Sequence, residues 1–178
     1  MLLVEMTHLQ LDEMTTYQLD RSTHTAFGDT REASAGRTQI GNIEFSSTTA
    51  KGKQQLVVKS TVTGPTGKKY TTLIIFKNVK FEPEDTPQNI TIQGVDGQPL
   101  HIDPYSTGMS DVQVRCDCMD FYWRFANWNF KHHALSGDKP PPYVKVTDRP
   151  PVNPLQKAGT CKHLYKLVQQ IRAKQLIG

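Results

Sequence analysis

The chain has 178 residues and a formal charge of +4, which fits one domain with arms or two very small domains. No apolar run approaches the about 20 residues that cross a bilayer, and Met1-Leu2-Leu3-Val4-Glu5 lacks the basic region and long apolar region of a signal peptide. A hydrophobic content of 37% is low for a compact globule, and Gly, Pro, Thr and Gln are plentiful, so part of the chain is expected to be extended or to depend on a partner.

Residues 1–38 are polar, with scattered Leu9, Leu11 and Leu19, and hold neither a helical nor a strand period. They read as an extended N-terminal arm. Residues 39–105 read as an antiparallel β region. Ile40 to Phe45 is a weak strand and Gln55 to Thr63 a strong one. Gly64-Pro65-Thr66-Gly67 is turn chemistry, and Tyr70 to Phe76 returns as a β-branched and aromatic run, extendable through Lys77 to Phe81. Pro83 and Pro87 end it. Asn89 to Gln93 and Leu100 to Ile102 are short strands around the turn Val95 to Gln98.

Residues 106–178 read as a third unit. Asp111 to Cys116 alternates as a strand. Asp120 to Leu135 has no Gly or Pro and reads as a helix, with Asp120 as N-cap, Phe121, Phe125 and Trp128 on one face, and Gly137 as terminator. Residues 138–160 form a Pro-rich strap, with Pro140-Pro141-Pro142, Pro150-Pro151 and Pro154, that can be neither a central helix nor a central strand. Leu164, Leu167, Val168 and Ile171 then mark an amphipathic C-terminal helix. The class is α+β: antiparallel β-hairpins followed by a module with an aromatic helix and a C-terminal amphipathic helix.

All three cysteines fall in two short motifs, Cys116-Asp117-Cys118 and Cys161-Lys162-His163, separated by the 42 residues 119–160. The chain reads as soluble and made in a cytoplasm, where thiols stay reduced and metal binding is favoured over disulfides. In a strand, side chains at i and i+2 share a face, so both first sulfurs can meet one ion. On a helix, i and i+2 diverge, so Cys161 and His163 converge only if Cys161 stands at the cap, before the backbone turns helical. Three thiolates and an imidazole are a closed tetrahedral set, typical of structural Zn2+. A disulfide within the three cysteines, or independent free thiols, are the competing readings. His132 and His133 are alternative ligands to His163, in a basic stretch where solvated or aromatic-packed roles compete.

No glycine-rich phosphate loop, H-E-x-x-H or nucleophile elbow is present, so no enzymatic activity is expected. Tyr122, Trp123, Trp128, Phe130 and Tyr143 are interface candidates. They suit a core, a protein interface or stacking on single-stranded nucleic acid. Residues 131–178 carry nine Lys/Arg against two Asp/Glu, a net of +7. Such a segment can meet nucleic acid or an acidic protein surface, or simply form a solvated face.

The C-x-C…C-x-H pattern resembles SWIM-type zinc fingers, which implies a first pair on a hairpin and a second at a helix start. More widely, Val112 to Phe121, Phe125-Ala126-Asn127-Trp128, Pro140-Pro141-Pro142, Arg149 to Pro154 and Cys161-Lys162-His163-Leu164 resemble small structural virion proteins of contractile-tailed phages, including cyanophages. The resemblance covers roughly residues 55–175. It implies a virion component in the tail, baseplate or neck, made in the host cytoplasm, contacting several other virion proteins, with zinc on the four matched residues and no membrane partner. A nucleic-acid-binding zinc module is the alternative.

Overall fold

The computed structural model describes residues 13–142 and 144–177. Its frame is a four-stranded antiparallel sheet of β1 (Gln39–Ala50), β2 (Lys53–Thr63), β3 (Lys69–Phe76) and β7 (Val112–Cys116), in the order β1-β2-β3-β7. The alternation that marks β2 in the sequence becomes a buried face. Leu56 lies opposite Phe76 and Val58 opposite Ile74, and these pair onward with Val112 and Val114 of β7. Strand β7, from the expected third unit, is therefore an edge of the same sheet as the hairpins.

Two hairpin turns share one design. Gly64 N–H donates to Lys68 O and Gly67 adopts φ +80° between β2 and β3. Gly94 N–H donates to Gln98 O and Gly97 adopts φ +80° between β5 (Ile90–Gln93) and β6 (Pro99–Ile102). Strand β1 is longer than its sequence suggests. It continues to Ala50 and turns through Lys51 and Gly52, both with positive φ, and a bulge lies between Ile40 and Ile43. The expected extension of β3 through Phe81 does not form. The chain leaves the sheet at Phe76, and Phe81–Glu82 is β4 of a second small sheet, ordered β4-β6-β5.

Residues 1–12 of the expected arm lie outside the described residues. Beyond them the expectation of an extended arm is corrected: α1 (Thr16–Phe27) and α2 (Thr30–Ala35) are helices. A capping box starts α1. Gln18 N–H donates to Thr15 Oγ1, and Thr15 N–H donates to Gln18 Oε1. The buried stripe of α1 is Thr16, Leu19 and Thr23, so two of its three members are polar and no hydrophobic period shows. Helix α2 packs on the C-terminal helix α6 (Lys162–Ala173), whose Leu164, Leu167, Val168 and Ile171 are buried against the sheet.

Between β6 and β7 lies α3 (Pro104–Met109), capped by Asp103. After β7 comes a broken helix: α4 (Met119–Phe121), a π-helical segment over Tyr122–Ala126, and α5 (Asn127–Lys131). The π segment adds a residue to the turn and rotates the residues after it about the helix axis. Phe121 and Phe125 are buried as expected, but the buried positions that follow are Ala126 and Asn129, and Trp128 moves off the core face and is only half-buried. The helix stops at Lys131, before Gly137, because His133 takes a left-handed φ of +53° and Leu135 bridges in parallel to Val114. Residues 138–160 hold no helix or strand among those described, as their prolines require. The α+β class, the antiparallel sheets, the aromatic helical segment and the amphipathic C-terminal helix are as the sequence predicts.

Candidate metal centre

The end of β7 presents Cys116 on the sheet's buried face, and Cys118 comes next as the chain turns into α4. Cys118, rather than Asp120, caps that helix: its Sγ accepts from Phe121 N–H at 3.3 Å. Asp120 instead bridges Arg31 of α2 at 2.8 Å and Arg124 of the π segment. Cys161 stands at the N-cap of α6 with extended backbone (φ −72°, ψ 168°), as convergence of Cys161 with His163 requires.

The three sulfurs and one imidazole nitrogen all lie within 4.8 Å of one another, and all four residues are buried. His163 Nδ1 is 3.8 Å from Cys116 Sγ and 4.0 Å from Cys161 Sγ. A tetrahedral zinc site with usual bond lengths places sulfur and nitrogen about 3.6 Å apart and two sulfurs about 3.8 Å apart. The cluster thus matches a Cys3His set to within a small contraction, and it can hold a metal ion.

The hydrogen bond from Cys116, then that from Cys161, holds Cys118 well below the usual thiol range. Cys116 is pushed up chiefly through its hydrogen bond with Cys118. Burial, before all else, pushes Cys161 up. One thiolate can be sheltered by two protonated neighbours, but three buried thiolates need a cation among them. A divalent ion supplies that charge, at the cost of releasing protons as it binds.

His163 uses Nδ1 toward the sulfurs, and its Nε2 is buried with no hydrogen-bond partner among the described residues. The ring is held by packing. Tyr70 stacks on it, with centroids 4.3 Å apart and planes at 27°, and Gly64 leaves room beside Nε2. Tyr70 has no sequence signal beyond its place after the β2–β3 turn. His132 and His133 end α5 and lie outside the cluster.

The approach to Cys161 is fixed by a largely buried junction that motif reading misses. Asn129 donates from Nδ2 to Gly159 O at 3.0 Å and accepts from Gly159 N–H at 2.8 Å. Thr160 N–H donates to Thr23 Oγ1 at 2.9 Å, and Ser22 Oγ donates to Ala158 O at 2.7 Å. The helix α1 and the broken aromatic helix therefore grip the strap just before the second ligand pair.

Of the interface candidates, Tyr122 and Trp123 meet edge to face at 4.8 Å, and Trp123 is 48% exposed. Trp128 is half-buried beneath Lys131, and Phe130 is exposed beside Lys139. Tyr143 lies outside the described residues. No helix among the described residues is long and apolar enough to cross a membrane. Comparison with family models, curated proteins and solved structures returned no match.

Proposed function

We propose that Cys116, Cys118, Cys161 and His163 hold one structural zinc ion in a SWIM-like site, and that the clasped chain is a non-enzymatic structural protein of a tailed-phage virion. The observation that carries the metal reading is the convergence of four buried ligand atoms within 4.8 Å. Three sulfurs and one nitrogen complete a tetrahedron, leaving no position for a reacting water, so the ion serves as a clasp rather than a catalyst. Untagged protein should carry about one zinc per chain by elemental analysis. A metal-free, fully folded protein refutes this reading.

The virion reading rests on the resemblance of the segments from Val112 to Leu164 to phage structural proteins. Tail, baseplate or neck is the expected place, with several neighbouring virion proteins as partners. Mass spectrometry of purified particles should find the chain at stoichiometric copy number, and its absence removes this reading. The alternative of a nucleic-acid-binding module draws on the basic balance of residues 131–178 and on Trp123, exposed near two lysines. It requires binding that weakens steeply with salt.

A further inference from the structure

The broken aromatic helix and the Pro-rich strap enclose a cleft of about 480 Å³ on the protein surface. Its walls are Trp123, Trp128 and Phe130 on the helix side and Pro142, Pro151 and Val152 on the strap side. Two further features give it a chemical preference. Lys131 and Lys139 stand at the cleft with their ammonium groups 4.3 Å and 5.4 Å from the ring centres of Trp128 and Phe130, and neither has a carboxylate partner among the described residues. Asn127 and Gln156, also in the lining, make no side-chain hydrogen bond to a described residue.

We propose that this cleft docks an extended, acidic segment of a protein partner. An apolar side chain enters between Trp123 and Val152, carboxylates meet Lys131 and Lys139, and the amides of Asn127 and Gln156 serve the segment's backbone. The ring geometry favours peptide over nucleic acid. Base stacking needs open aromatic faces, whereas Lys131 and Lys139 cover a face of Trp128 and of Phe130, and Trp123 meets Tyr122 edge to face. An ammonium held over a ring keeps outward donors for a carboxylate. The inference rests on the assembly reading for its choice of a protein partner. It does not depend on the particle, so peptide binding and particle mass spectrometry can fail separately.

The two tryptophans of the chain both line this cleft, so intrinsic fluorescence of the full-length, zinc-loaded protein reports on it directly. The probes are a short peptide alternating glutamate with leucine around a central proline, the same peptide with lysine for glutamate, and oligothymidylate. The expected result is a saturable emission change with the acidic peptide and none with the basic one. Joint Lys131→Glu and Lys139→Glu substitution should weaken acidic-peptide binding about tenfold or more, while Lys59→Glu on β2 leaves it unchanged. Unaltered circular dichroism and zinc content establish that the double variant is folded. Absence of saturable binding overturns the proposal. So does equal affinity for both peptides, or stronger binding of oligothymidylate than of the acidic peptide.

Discussion

Gly159→Ala isolates the junction that delivers Cys161. A Cβ at this position would lie 2.5 Å from Thr23 Oγ1 and 2.9 Å from Phe125 Cε1. Gly159 has no positive φ, so alanine can adopt its backbone conformation and the conflict is one of space. Thr23 cannot simply step aside, because its Oγ1 accepts from Thr160 N–H and donates to Leu19 O. Phe125 is fully buried and in edge contact with Phe27. Overpacking a filled core costs about 1–3 kcal/mol, and orphaning the Thr160 N–H adds about 1–3 kcal/mol. Loss of unfolded-state freedom at alanine returns about 0.4–1 kcal/mol, leaving a net cost of about 1–5.5 kcal/mol. Denaturant unfolding of zinc-loaded protein measures this, and competition with a chromophoric chelator should show weaker zinc retention, since Cys161 is two residues on. An unfolding free energy within about 0.5 kcal/mol of the parent chain refutes the reasoning: the junction would then be plastic and the ion alone would place Cys161.

Asn129→Ala removes both hydrogen bonds to Gly159 while leaving its backbone buried, and should cost about 2–4 kcal/mol by denaturant titration. Cys161→Ser should abolish tight zinc retention in elemental analysis and raise hydrogen exchange in the first turns of α6, and chelation of the parent chain should reproduce the exchange pattern. Asp111 titrates above the usual aspartate range, first through burial and then through its hydrogen bond with Glu13. A raised folded-state value means that folding favours the protonated carboxyl, so stability falls as pH rises through that value. Asp111→Asn should therefore stabilise the protein at neutral pH, and the gain should vanish below the ordinary value of 3.8. Thermal unfolding at both pH values checks the sign.

The Cys3His cluster and the hairpins are legible in the sequence because their signals are local. C-x-C at the end of a strand and C-x-H at a helix start each fix geometry within three residues, and Gly64-Pro65-Thr66-Gly67 encodes its turn directly. The helix α1 is hidden because two of its three buried residues, Thr16 and Thr23, are polar, although Thr15 and Gln18 spell its capping box. The π segment has no compositional mark, so helical periodicity alone places Trp128 on a face that the added residue rotates away. Asn129, Thr23, Gly159 and Tyr70 support the site from 30 to 137 positions away in pairwise sequence separation or from the opposite strand. Such partners come into view only once the chain is folded, because their roles depend on what packs beside them.

The clasp also bears on how the chain can change. Its two pairs, Cys116 with Cys118 and Cys161 with His163, bracket residues 119–160, and within that stretch 141, 142 and 144–152 are exposed and hold no regular structure. Lengthening such a loop costs only about 0.6 kcal/mol per doubling, and its anchors, among them the Cys3His cluster and the Asn129–Gly159 pair, stand outside the exposed part. Insertions or wholesale replacement there should leave the sheet undisturbed. The clasp thus separates a fixed burden, holding the fold, from a segment free to drift with whatever surface it meets.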